Sequence, residues 1–336
     1  METAAVVGTR GVEALHARDG RLRAVEDQLA EEGALQILID EAAYSMTMRT
    51  PGQDTDLVVG LLHGEGLLAS FSEVESIREQ AAADEGCPDT VQIGFRKRAR
   101  EGAKPSERRL ISNASCGVCG KVSADDLEVP ALRAGRAEAK LDLALLPALE
   151  GRMRAAQALF GRTGGTHAAA VFDREGNLLV IREDVGRHNA VDKAVGHLLR
   201  ERALDRAAIL FISGRVSYEI VSKAAKADIP FLLAVSAPST LAVKLCREAG
   251  ITLLAFCRGG KATIYSHPER VRIETGSPEE GFAGSDVPPA GNAADGAVAA
   301  PGKDSTGDLA AGTAFAPSGA VSKGGATVAP VQGDGK

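Results

Sequence analysis

Between residues 167 and 256 short apolar runs alternate with amphipathic stretches, and this alternation constrains the fold of the 336-residue chain more than any other feature. Strands read at 167–172 and 178–182, joined by the turn Asp173-Arg174-Glu175-Gly176-Asn177. A helix follows over 189–202, then a strand at 208–212 and a helix at 218–226. The last cycle is a strand at 231–235, a helix at 241–249 and a strand at 251–256. Alternation of this kind implies βαβ units and a largely parallel sheet, an α/β fold with helices packed on it.

Four segments stand just past these strands: Glu183 to Asn189, Ser213-Gly214-Arg215, Ser236-Ala237-Pro238-Ser239, and Cys257-Arg258-Gly259-Gly260-Lys261. Ligands of open α/β sheets bind at the carboxyl ends of strands, so these loops should line one crevice. Three of them lead into helices, whose first N–H groups attract anions. For Ser213 and Ser239 the plainer role is helix capping. Gly259-Gly260 between Arg258 and Lys261 suits close backbone approach to a phosphate, without the spacing of a Walker loop. Together the loops point to a phosphorylated or nucleotide-like ligand. His188 and Asp192 lie four apart on one helix face near Asp184 and Arg187, suiting either a hydrogen-bonded helix start or ligand contact. His167 falls at the rim of the same crevice. His16, His197 and His267 read as surface residues.

The amino-terminal portion is organised differently. Residues 1–29 read as a flexible polar lead-in, followed by a hairpin in which Leu35, Ile37 and Ile39, then Tyr44, Met46 and Met48, alternate. After Arg49-Thr50-Pro51-Gly52, Asp54 or Thr55 can cap a helix with the stripe Leu57, Val58, Leu61, Leu62 and Leu68. A strand carrying Val91, Ile93 and Phe95 precedes the basic run Arg96 to Arg100, which reads as a solvated strand end. A short strand at 109–112 leads to Ser115-Cys116-Gly117-Val118-Cys119-Gly120-Lys121. Glycines there let the backbone turn tightly, and the lysine favours thiolate over thiol. Spacing alone leaves half a zinc site, a disulfide redox pair and a sulfur-carrying nucleophile open; a structural zinc site needs a second pair, and Cys87, Cys246 and Cys257 are scattered. A single helix over 146–160 is expected from Leu146, Leu149, Met153, Ala156 and Phe160, stopped by Gly161.

Four portions result: a lead-in 1–29, an N-terminal α+β portion 30–140 with the cysteine loop, an α/β ligand-binding domain 141–276, and a tail 277–336. The tail is Ala, Gly, Pro, Ser and Asp with few large apolar residues, a composition expected to be disordered. It holds seven acids and three lysines, hence four of the formal six negative charges. The nearly neutral remainder argues against nucleic-acid binding by bulk charge. No run is long enough for a membrane helix, and the N-terminus lacks a secretory signal. Five cysteines, an odd number, fit a reducing cytoplasm.

Several of these segments together resemble the FdhD family. They are Met48-Arg49-Thr50-Pro51-Gly52, Ser115 to Lys121, Gly164-Gly165-Thr166-His167-Ala168-Ala169, Glu183 to Lys193, Ser213-Gly214-Arg215, Ser236 to Ser239, and Gly250-Ile251-Thr252-Leu253. The resemblance runs in order over about residues 30–270. It implies a cytidine-deaminase-like three-layer domain with a smaller N-terminal portion, a homodimer, and a sulfurtransferase role in the cytoplasm. Such a protein accepts sulfane sulfur from a cysteine desulfurase and passes it to the molybdenum bis(molybdopterin guanine dinucleotide) cofactor, for formate dehydrogenase. The implied persulfide residue is Cys116, with Cys119 as second thiol. Phe256, Cys257, Arg258, Gly259, Gly260 and Lys261 fall on a cofactor-binding stretch of the family; Ser213, Gly214, Arg215 and His188 join them from the crevice. No tightly held metal is implied. Two other readings stand beside this one. His63-Gly64-Glu65 ahead of the Cys-x-x-Cys pair follows the ligand order of zinc nucleobase deaminases. A chaperone that holds the cofactor without transferring sulfur is the other.

Overall fold

Strands whose residues are apolar on both faces are stable only when covered on both sides. A computed structural model of the chain, describing residues 7–84, 87–96, 129–133, 136 and 138–273, covers them in this way. Thr9–Arg18 (β1) and Arg21–Ala30 (β2) form a two-stranded antiparallel hairpin. The flexible lead-in expected over 1–29 is corrected for these residues: a turn with positive φ at Asp19 and Gly20 lets ten-residue strands pair over their whole length.

Gly33–Ile39 (β3), Ala42–Arg49 (β4), Val74–Gln80 (β5) and Asp89–Phe95 (β6) make a sheet in the order β4-β3-β6-β5. Asp40 and Glu41, both at positive φ, close the β3–β4 hairpin. Asp54–Glu65 (α1) has neither expected cap. Its N-cap is Gln53 in a left-handed conformation, while Asp54 accepts from Arg49 Nε at 3.0 Å and Thr55 N–H donates to Glu79.

The second sheet has the order β13-β12-β11-β10-β8-β9, from His167–Phe172 (β8), Leu178–Asp184 (β9), Ile209–Ile212 (β10), Phe231–Ala234 (β11), Thr252–Arg258 (β12) and Lys261–Ile264 (β13). Only β10–β11–β12 run parallel; β8, β9 and β13 are antiparallel to their neighbours. The sheet is therefore mixed rather than largely parallel. The tight connections β8–β9 and β12–β13 are too short for the crossover that a parallel pair needs. Leu141–Asp142 (β7) and Val271–Arg272 (β14) form a small parallel pair beside it.

One face of this sheet, with Ala169, Val171, Leu210, Ile212, Leu232 and Leu253, packs on helices Arg187–Arg200 (α4), Tyr218–Lys226 (α5) and Thr240–Ala249 (α6). The other face, with Phe172, Phe211, Phe231 and Leu233, takes Leu146–Ala156 (α2) through Leu146, Leu149 and Met153. The expected 146–160 helix breaks at Gln157, and Ala158–Thr163 (α3) continues in a new direction. The buried Glu183 carboxylate accepts from Leu159 N–H and Phe160 N–H at 2.8 Å, satisfying amides that one continuous helix would have pointed elsewhere. Phe160 is consequently exposed, and Gly164, not Gly161, ends the segment at φ 64°.

Helix α1 crosses α4 with their backbones in contact. A Cβ on Gly60 would overlap the Asp192 carbonyl, and one on Gly196 would overlap the Asp56 carbonyl. Residues of the first sheet, α1, α4 and the second sheet consequently belong to one apolar cluster. Among the described residues no helix is long and apolar enough to cross a membrane.

Candidate functional site

The registers bring the start of β8, the end of β9 and the carboxyl ends of β10 and β11 to one margin of the six-stranded sheet. His167 pairs with Asp184, and Ile212 lies between Ala169 and Ala234. Phe256 N–H reaches the Ser236 carbonyl at 3.4 Å, so the last residues of β12 meet the same margin. Of the residues singled out in the sequence, Ser213, Gly214, Arg215, His188 and His167 are brought together here.

The segment Glu183 to Lys193 is anchored by a buried polar network. Asp184 Oδ2 lies 2.7 Å from Lys193 Nζ and accepts from Thr50 N–H at 3.1 Å. Its other oxygen accepts from Gly186 N–H at 2.8 Å and Asn189 Nδ2 at 3.1 Å. Lys193 also donates to the Thr50 carbonyl, and Asn189 to that of Met48. The sequence stretches Met48 to Gly52 and Glu183 to Lys193, far apart in the chain, are thus one bonded unit. It fixes the first turn of α4, which holds Arg187 and His188 and begins at Arg187, two residues before the expected start at 189.

His188 Nε2 lies 2.6 Å from Glu219 Oε2 and 3.2 Å from Ser217 Oγ. Burial would raise the Glu219 carboxyl, but His188, Lys223 and Arg187 outweigh it and hold the group below its ordinary range. His188 and Asp192 share no bond; Asp192 is buried against Lys223 Nζ at 2.6 Å. Burial nonetheless raises the Asp192 carboxyl above its ordinary value. Ser213 caps no helix: its Oγ accepts from Ala168 N–H at 2.9 Å and lies 3.5 Å from His167 Nδ1. Ser239 does cap, accepting from Ala242 N–H.

Gly214 is buried where a Cβ would stand 3.3 Å from Arg187 Cβ and 3.4 Å from His167 Nδ1. Arg187 is the residue that the sequence reading underused. Its buried Nε has no hydrogen-bond partner among the described residues. Burial, with Arg215 close by, lowers its proton affinity, partly offset by Glu219. His167 is pushed below its ordinary value first by burial, then by Arg187, His188 and Arg215, against the opposing pull of Asp184.

The Phe256 to Lys261 stretch is arranged less simply than a phosphate cradle. The amides of Gly259 and Gly260 donate to the Glu150 carboxylate of α2 at 2.8 and 3.3 Å, so the chain's own anion already occupies them. Arg258 and Lys261 are exposed, and Cys257 is buried. Phe256 is 39% exposed and takes φ 54°, a left-handed conformation unusual for an aromatic residue, at an irregularity in the β12–β13 register. Burial pushes the thiols of Cys246 and Cys257 up to about 12, which makes them poor nucleophiles. Cys116, Cys119, the strand expected at 109–112, most of the basic run and the tail from residue 277 lie outside the described residues.

His63 does not serve the zinc-ligand role. Its Nδ1 lies 2.8 Å from the Leu68 carbonyl and its Nε2 3.2 Å from that of Lys226, so both ring nitrogens face backbone oxygens. His197 is no plain surface residue either, with Nδ1 2.8 Å from Arg182 Nη2 in a cluster around the buried Asp56.

Comparison with known proteins places these features. A family model described as the FdhD/NarQ family matches residues 30–272. The chain is 42% identical over 262 residues to a sulfur carrier protein FdhD of Streptomyces avermitilis, covering 76% of this chain and 93% of that one. It is 38% identical over 265 residues to the like-named protein of Sulfolobus acidocaldarius, covering 79% and 99%. A crystal structure described as a formate dehydrogenase accessory protein from Desulfotalea psychrophila superposes with a TM-score of 0.62 at 23% identity, over 79% of this chain and 99% of that one. The mixed α/β fold is the one found in that structure, and the chain belongs to the FdhD/NarQ family.

Proposed function

We propose that this protein is a sulfur carrier in the maturation of formate dehydrogenase. The observation that carries the reading is its likeness, at about two-fifths identity, to relatives named sulfur carrier protein FdhD over nearly their whole length. The Cys116-Gly117-Val118-Cys119 pair supports it from the sequence. In this reading the Cys116 thiolate attacks the outer sulfur of a persulfide on a cysteine desulfurase. The new S–S bond forms at Cys116 as the donor's S–S bond breaks, and the donor leaves as a thiolate, so no oxidant is consumed. Cys119 acts as relay or resolving thiol.

The acceptor is molybdenum bis(molybdopterin guanine dinucleotide), bound as substrate. Its guanine-dinucleotide anions are received at the sheet margin by Ser213, Gly214, Arg215 and His188. Phe256 to Lys261 form the flanking wall, with exposed Phe256 and the cations Arg258 and Lys261. The protein works as a cytoplasmic homodimer whose partners are the desulfurase and formate dehydrogenase.

Intact mass spectrometry after incubation with desulfurase and cysteine tests this. Wild type should gain the mass of sulfur atoms, removable by a reductant. Cys116→Ser should lose both the adduct and the ability to activate formate dehydrogenase, whereas Cys119→Ser retains part of the loading. Full activation by Cys116→Ser would overturn the assignment in favour of a cofactor chaperone.

A further inference from the structure

We propose that His167, Arg187 and Arg215 form a binding site for a diphosphate-class anion, and that His167 takes up a proton when the anion binds. The proposal rests on the reading that this sheet margin receives a dinucleotide, and it adds to Arg215 two residues, His167 and Arg187, and a proton that the reading leaves unassigned. Three observations carry it.

The first is an unpaired donor. Arg187 Nε is buried with no partner among the described residues, a state that is costly unless a further group completes it, and a ligand oxygen would do so. A guanidinium presents its N–H groups as a planar fork suited to phosphate oxygens. The second is the balance of charge. Among the described residues, each carboxylate facing the cluster is already engaged: Asp184 with Lys193, Glu219 with His188, and Glu183 with Thr166 and the α3 amides. Arg187 and the exposed Arg215 repel one another, and an anion between them relieves both. The third is steric. Gly214 leaves the space in which Arg187 and His167 approach the β10 loop together.

The Gly259-Gly260 turn differs from this cluster in what it already holds. Both places attract anions, but that turn holds Glu150, whereas Arg187 Nε meets no acceptor among the described residues. A ligand diphosphate is therefore received at Arg187. The groups acting on His167 are Arg187 and His188 from α4, Arg215 from the loop after β10, and Asp184 from β9, with Ser213 Oγ at 3.5 Å. Without an anion, burial first and then the guanidiniums of Arg187 and Arg215 oppose protonation of His167. A bound diphosphate reverses the sign of the local field, so the imidazole gains a proton and donates to it.

The test is calorimetric titration of the full-length protein with inorganic pyrophosphate, in two buffers of different ionisation enthalpy. Wild type should bind with proton uptake exceeding that of His167→Asn by close to one proton; the ligand's own protonation is common to both and cancels. Arg187→Gln should weaken binding about ten- to hundredfold, as expected for loss of a charge-assisted contact, with Arg187→Lys intermediate. Melting curves confirm that each variant is folded. Guanosine diphosphate run in parallel separates recognition of the diphosphate alone from that of the whole nucleotide. Unchanged affinity in Arg187→Gln would overturn the site, above all if Glu150→Gln strengthened binding and so moved the anion to the glycine turn. Equal proton uptake in wild type and His167→Asn would overturn the linkage. Persulfide loading on Cys116 is scored separately, so failure here leaves the sulfur-carrier reading standing, and the reverse also holds.

Discussion

Lys193 has no exposed side-chain surface, and its ammonium is held by Asp184 and the Thr50 carbonyl. Removing one member of such a pair leaves a buried, uncompensated charge. Lys193→Met should therefore cost about 3–5 kcal/mol in urea denaturation. The double variant Lys193→Met/Asp184→Asn should recover part of this, since it leaves no buried charge and the Asn oxygen can still accept from Gly186 N–H. At the same scale, the two buried thiols should be silent: under native conditions at neutral pH, alkylation should leave Cys246 and Cys257 unmodified, and both should react after unfolding. Mass mapping of labelled peptides reads this directly. His167 carries a pH dependence whose sign follows from its lowered proton affinity. The unfolded chain takes up the proton near an ordinary pKa of about 6.5, above the folded value, so the contribution to stability is full above that pH and is lost as pH falls through it. Melting temperatures in the absence of ligand should show this acid-side loss, and His167→Asn should reduce it.

Elements are held together here by unusually close backbones. Helix α1 meets α4 at Gly60 and Gly196, where any side chain would strike a carbonyl of the other helix. Gly60→Ala should destabilise the protein by roughly 1–3 kcal/mol through overpacking, despite the gain in helix propensity. Gly151→Ala is the matched control, because that glycine lies in α2 with nothing within 4 Å of the added methyl. It should stabilise by about 0.5–1 kcal/mol. Thermal unfolding of the two variants checks both signs. Gly60 and Gly151 both lie inside helices, where glycine has the same low intrinsic propensity. Only the contact with a second helix separates them.

At the scale of the whole molecule, the crossing of α1 and α4 joins the first sheet to the second through one apolar cluster. Helix α1 is buried almost all round, with Leu57, Val58, Val59 and Leu62 in that cluster, so the amino-terminal sheet has no separate core to close over. A fragment ending at residue 140 should therefore show no cooperative transition by circular dichroism, whereas the chain through residue 276 should. A cooperative melt of the short fragment would contradict the shared core. The class of the fold is legible in the chain without its partners: apolar runs such as 209–212 and 231–234 have no polar face and must lie inside a sheet covered on both sides. So is the gathering of serine, glycine and cations at one margin by the loops after those strands, since strand ends are fixed by where the apolar runs stop. Pairing, by contrast, is a long-range outcome. Strand direction at β8, β9 and β13 depends on neighbours brought in from elsewhere in the chain. The break at Gln157 depends on a carboxylate twenty-six residues away, at Glu183. Whether a glycine turn is open to a phosphate depends on Glu150, and whether an arginine is left unpaired depends on every carboxylate around it. Local composition fixes what a segment can do; which partner reaches it first is settled by long-range packing, because hydrogen-bonding groups and charges are satisfied by proximity in space.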